Sequence, residues 1–134
     1  FGLRADVPAA YDPNFADVYD KRNAAFVNYG VGLCKYTGAR GKSGASDASA
    51  ETVGYVRGIF DRAKVIWQIA ELGKVDVGGG GTIAYICAKY GMNVIDSGIP
   101  VLSMHAPYEV ISKVDLYEGY RCYCAFLKGA HPVD

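Results

Sequence analysis

The stretch GVGLCKYTGARGKSGASDASAETVGYVRGIFDRAKVIWQIA, residues 30–70, decides the fold class. Its first seven residues, Gly30 to Tyr36, alternate enough for a short strand, and Thr37 to Ala45 is a loop of Gly, Ser and basic residues. Ser46 or Asp47 can then cap a helix running to about Lys64, with Val53, Val56, Phe60 and Ala63 at helical spacing on one face. Val65 to Ala70 is short and rich in β-branched and aromatic residues, which predicts a second strand. A strand, a helix and a strand in that order form a crossover unit, and such units build sheets that are mainly parallel.

The pattern continues outward from this unit. The glycine run Gly78-Gly79-Gly80-Gly81 leads into a second helix, with Ile83, Ile86 and Tyr90 predicted inward and Gly91 as its stop. Asn93 to Asp96 and Gly98 to Leu102 are further extended segments. A last helix is predicted over Tyr108 to Leu127, turning Val110, Val114, Tyr117, Cys124 and Leu127 to the core. Before the central unit, Asp6 to Asn28 is polar and turn-rich, with Asp12-Pro13-Asn14 as its clearest punctuation, and predicts a long surface loop. The chain is therefore expected to be one α/β domain or a portion of one, a three-layer sandwich about a largely parallel sheet.

Composition limits the function classes. At 134 residues and 51% hydrophobic, the chain has the makeup of a globular domain with a single core. Lys plus Arg and Asp plus Glu are equal at 14 each, so no net field gathers nucleic acid or an anionic membrane. No apolar run has the roughly 18 residues a membrane span needs. The cysteines Cys34, Cys87, Cys122 and Cys124 include no C-x-x-C pair and read as free thiols, which points to the cytoplasm. The chain lacks an initiator Met and opens on Phe1-Gly2-Leu3-Arg4-Ala5-Asp6, as though within a strand, so a fragment is expected.

Three features can carry chemistry. Gly79-x-Gly81-x-x-Ala84 fits the dinucleotide pattern at a helix start, with Asp96 downstream as a ribose-binding acid. Against that reading, Glu71 to Val77 is too polar for the buried first strand such a unit requires. The glycines alone still expose N–H groups in a row, which suits a carboxylate or oxyanion. His105, in Ser103-Met104-His105-Ala106-Pro107-Tyr108-Glu109, follows an apolar strand, where open α/β sheets assemble their sites and where imidazole serves as a metal ligand. Asp6 stands at another strand end, where a turn-capping role is the ordinary one. Lys35, Arg40 and Lys42 form a basic cluster facing no obvious acidic partner, and Lys35 alone among them is predicted to lie within a strand.

Taken in order, Ala5-Asp6-Val7 with Asp12-Pro13-Asn14, Lys35-Tyr36-Thr37-Gly38-Ala39-Arg40-Gly41-Lys42-Ser43-Gly44, Gly79-Gly80-Gly81-Thr82 and Ser103 to Glu109 resemble the aspartyl aminopeptidase and aminopeptidase I family, in its bacterial branch. The similarity spans Asp6 to Leu127. It implies a metallopeptidase with two zinc ions that activate a water for attack on the first peptide bond of a peptide substrate, assembled as a homo-oligomer. By resemblance, Asp6 is a ligand of one zinc and His105 a ligand of the other. Lys35 corresponds to a lysine that contacts the substrate, and Gly80, Gly81 and Thr82 to the loop lining its pocket. The family's remaining zinc ligands and its general-base Glu have no counterpart here, which implies the C-terminal portion of a catalytic domain, inactive alone, with the N-terminal portion and an inserted domain absent. Ala9 stands where aspartyl aminopeptidases have a His, and the loop after Lys35 holds Gly, Lys and Ser where they place a Tyr. A preference for acidic N-terminal residues therefore does not carry over. The competing expectations are a nucleotide-binding module on Gly79 to Ala84 and a non-catalytic assembly element.

Overall fold

The computed structural model describes residues 1–37, 46–71, 73–74 and 84–131. In chain order the elements are β1 (Gly2–Ala5), a 3₁₀ helix (Pro13–Val18), β2 (Val31–Cys34), β3 (Tyr36–Thr37), β4 (Ser46–Asp47), α1 (Ala50–Arg62), β5 (Trp67–Ile69), α2 (Ala84–Ala88), β6 (Val94–Gly98), β7 (Val101–Leu102), β8 (Val110–Ile111) and α3 (Lys113–Gly129). The main sheet has four strands in the order β1-β6-β2-β5. β1 runs parallel to β6 and β2 parallel to β5, while β2 and β6 are antiparallel. The fold is thus mixed α/β with a mostly parallel sheet. The predicted surface loop 6–28 carries the 3₁₀ helix and buries Ala10, Ala24 and Ala25.

Alternation along the strands separates two faces. Val31 and Leu33 of β2 and Ile95 of β6 join Val56, Ile59 and Phe60 of α1 and Cys122 of α3 in the main core. The other face carries a polar row, in which Arg4 lies opposite Asp96 and Asp96 opposite Cys34 across three neighbouring strands.

α1 starts later than the sequence predicts. Its cap is Ser49, whose hydroxyl accepts from the Thr52 amide at 3.2 Å, because Ser46 and Asp47 pair with β3 as a strand. Its buried residues are Thr52, Val56, Ile59 and Phe60, and Ala63 is exposed. The helix stops where Lys64 turns left-handed at φ +53: the Lys64 amide donates to Asp61 O and the Val65 amide to Phe60 O. Those two bonds satisfy the last carbonyls and direct the chain into β5.

α3 corrects the predicted helix phase. Residues 110–111 form β8, paired with β7, so the helix begins only after Ser112. Val110, Val114, Tyr117 and Leu127 are exposed, and the buried positions are Asp115, Glu118, Gly119 and Cys122. Two carboxylates can face inward because both are used. Asp115 accepts the amides of Asn28 and Gly30 at 2.7 and 2.9 Å, and Glu118 accepts that of Ile66 at 2.8 Å while pairing with Arg121. α2 differs likewise: Ile86 and Tyr90, predicted inward, are exposed, and Ile83 lies outside the described residues.

Candidate metal centre

Asp6 is placed by the first residues of the chain. β1 ends at Ala5, and the Asp6 amide extends its ladder by donating to Ser97 O at 3.2 Å. The backbone passes so close to β6 that a Cβ on Gly98 would lie 1.9 Å from the Asp6 carbonyl oxygen, so only glycine fits there. Gly98→Ala is expected to displace the Asp6 segment and cost about 2 kcal/mol or more, as overpacking against backbone does. A thermal melt matching the parent's would sink that account. The Asp6 carboxylate itself is paired with Arg4 Nη2 and remains partly exposed.

His105 leaves the same end of the sheet. The Val101 amide donates to Pro8 O at 3.0 Å and the Ala10 amide to Val101 O at 2.8 Å, so the segment after Asp6 runs beside β7. Asp6 comes shortly before the Ala9–Val101 bridge and His105 shortly after it. The loop is held in an unusual shape: Ser103 and His105 have φ +57 and +68, a left-handed conformation costing a non-glycine residue about 1 kcal/mol. The Ala106 amide donates to Ser103 O, and the His105 amide to Glu109 Oε1 at 2.6 Å. These bonds leave the exposed imidazole presented to solvent at the sheet end.

Lys35 departs from its predicted setting. It sits at a bend between β2 and β3 rather than within a strand, and its ammonium pairs with Asp47, so Lys35 does have an acidic partner; Arg40 and Lys42 lie outside the described residues. Because β2 is antiparallel to β6, the carboxyl end of β2 points away from Asp6. The register sets Asp6 beside Gly98 and Lys35 beyond the Cys34–Asp96 pair, about 10 Å apart along the strands.

Glu71, which the sequence did not single out, lies at the carboxyl end of β5. Its carboxyl accepts a bond from the Tyr36 backbone, and its Oε2 is buried without a hydrogen-bond partner among the described residues. Burial pushes its pKa up to about 7 and Asp47 adds to the rise, with the Tyr36 bond and Lys35 opposing. The fold therefore favours the protonated form, while the unfolded carboxyl titrates near the ordinary 4.5. Stability is full below the lower value and falls as pH rises through about 7. Glu71→Gln is expected to abolish that fall, so melting temperatures of the two proteins converge at low pH and separate toward neutrality. Parallel curves would refute it.

Burial likewise pushes the Cys34 thiol far up and that of Cys122 to about 11, so neither is a nucleophile. All four cysteines are free.

A model of the aminopeptidase I zinc metalloproteases, family M18, matches residues 1–127. The chain belongs to this family. A probable M18 family aminopeptidase 1 of Clostridium acetobutylicum is 56% identical over 125 residues, covering 93% of this chain and 27% of that protein. The crystal structure of an M18 aminopeptidase from Thermotoga maritima superposes with TM-score 0.90 at 50% identity, over 96% of this chain and 28% of that one. A dodecameric family structure from S. cerevisiae gives TM-score 0.69 at 26% identity, over 94% and 26%. The chain thus spans little more than a quarter of the length of these M18 relatives.

For a zinc metalloprotease the donors at the sheet end have suitable chemistry, a carboxylate oxygen and an imidazole nitrogen. Asp6 is partly exposed and its backbone is pinned, and His105 is exposed on a hydrogen-bonded loop, so both side chains are accessible to an ion. Two donors fit as part of a set; an open zinc site takes three from protein, and no group of three His, Cys, Asp or Glu that could hold a metal occurs among the described residues. The substrate-loop residues Gly80, Gly81 and Thr82, and the dinucleotide pattern they belong to, lie outside the described residues. Asp96, predicted as a strand-end ribose acid, is instead buried in the middle of β6 beside Arg4, which removes the acid that the nucleotide reading needs. Arg4 was itself missed, although its position two residues before Asp6 puts both side chains on one face of the strand.

Proposed function

We propose that this chain is part of a zinc aminopeptidase that removes N-terminal residues from peptides, with Asp6 and His105 each holding one of two zinc ions. What supports this reading is the family match over residues 1–127, together with Asp6 and His105 lying on segments that leave the same end of the parallel β1–β6 pair. A zinc pair supplies an activated water and a polarised carbonyl. The chain's own residues orient and bind: Asp6 offers a carboxylate from a pinned backbone, and His105 an imidazole on a hydrogen-bonded loop. By the family resemblance Lys35, about 10 Å along the strands from Asp6, would exchange Asp47 for a carboxylate on a more distant part of the substrate, and Gly80, Gly81 and Thr82 correspond to the loop lining the substrate pocket.

In this reading the chain is the C-terminal portion of the catalytic domain, the complete domain is a three-layer sandwich, and the remaining ligands and the general base lie on polypeptide outside this chain. By analogy with the yeast dodecamer the protein assembles with copies of itself, and its free thiols suit the cytoplasm. The test grafts these residues over the matching quarter of the Clostridium acetobutylicum relative. Zinc-dependent release of N-terminal residues from peptides by the chimera, and none by the chain alone, is the expected outcome. Robust zinc-dependent cleavage by the isolated chain, or an inert chimera that folds and takes up zinc, would overturn the reading.

A further inference from the structure

We infer that Arg4 is a positioning residue for Asp6, itself anchored by the buried Asp96, and that this pair sets how tightly the Asp6 end of the site holds a divalent cation. The inference rests on the metal reading above. Arg4 Nη2 is paired with Asp6 Oδ2, while its Nε lies 3.0 Å from Asp96 Oδ1. The guanidinium is therefore hydrogen-bonded to Asp6 and ion-paired, without a hydrogen bond, to Asp96, and its planar shape lets it lie between the two carboxylates as the flexible ammonium of a lysine does not.

Asp96 is 2% exposed at the centre of β6, flanked in register by β1 and β2, so it cannot shift without breaking two ladders. Arg4 is only 18% exposed and inherits that rigidity. Asp6, by contrast, is partly exposed, and an unrestrained carboxylate there would sample several rotamers. Held through one oxygen by Arg4, it keeps a fixed direction with its other oxygen available to an ion. Groups that orient a ligand from behind in this way commonly change metal affinity by about 10- to 100-fold.

Electrostatics alone makes the opposite prediction, which renders the idea testable. Removing a cation beside a carboxylate strengthens its attraction for a dication, whereas removing a positioning contact weakens binding. The experiment titrates Co²⁺ into the metal-free chimera with the Clostridium acetobutylicum relative, where the other donors are present, and follows the visible absorption of the bound ion. Arg4→Met is expected to raise the Kd for Co²⁺ about tenfold. Arg4→Lys, which keeps the charge and loses the fork, is expected to raise it several-fold, and it decides the matter should Arg4→Met lose its helical circular dichroism. An unchanged or lower Kd in the folded variant overturns the inference while leaving the metal reading intact. A folded parent chimera that binds no Co²⁺ overturns both.

Discussion

Asp115→Ala is expected to lower the free energy of unfolding by about 3 kcal/mol, because it strands the buried Gly30 amide at roughly 1–3 kcal/mol and takes the acceptor from the part-buried Asn28 amide, which costs less. Asp115 is fully buried, and its two oxygens accept the amides of Asn28 and Gly30. Those residues form the left-handed turn, φ +71 and +87, that launches β2. The turn has no room to adjust: a Cβ on Gly30 would meet the Ile66 carbonyl oxygen at 2.2 Å. Water can reach the Asn28 amide, on an exposed residue, whereas the Gly30 bond to Asp115 is buried. Asp115→Asn keeps one acceptor oxygen and is expected to cost about half as much. Urea denaturation followed by circular dichroism measures both, and a shift in midpoint at constant m is the expected form. A loss below about 1 kcal/mol for the alanine variant would show that the turn holds itself, contrary to this account.

The largest effect on function is expected from Asp6→Ala and His105→Ala in the chimera with the Clostridium relative. If Asp6 and His105 hold zinc as proposed, each substitution would remove one donor from an ion that would activate the water, and each is expected to reduce kcat/KM on the order of a thousandfold or more. Stability should hardly move. Asp6 is partly exposed and His105 exposed, and the backbone bonds that place them, Asp6 N to Ser97 O and His105 N to Glu109 Oε1, survive truncation of the side chains. The discriminating result is thus lost activity and lost zinc, with the melting temperatures of the metal-free variant and the metal-free parent unchanged, since bound zinc itself raises that of the parent. His105→Ala with both activity and bound zinc intact would remove His105 from the site.

Much of this architecture was legible in the residues because it is local. Strand, helix and strand around Val56, Phe60 and Trp67 follow from periodicity and residue type, and β2, α1 and β5 lie within a few residues of their predicted spans. Errors appear where a local signal met a tertiary partner. Ser46 and Asp47 are good helix caps, but pairing with Tyr36 and Thr37 claimed them for a strand. In α3 the apolar residues suggested one inward face, yet the sheet took the face bearing Asp115 and Glu118, since the amides of Asn28, Gly30 and Ile66 needed acceptors. Hydrophobic spacing reports which residues are apolar; it does not report which unsatisfied donors a helix must serve.

The candidate site divides along the same line. From sequence alone came the ordered motifs that mark an M18 aminopeptidase segment, and with them Asp6 and His105 as donors of the right chemistry. Only the tertiary structure decided that these two leave one end of the sheet while Lys35 leaves the other, because strand direction depends on pairing between β2 and β6. It alone also placed Arg4 between Asp6 and Asp96, a contact joining residues far apart in the chain. Motifs record side chains in order along a line, whereas ion pairs and strand directions arise when the sheet brings distant segments into register.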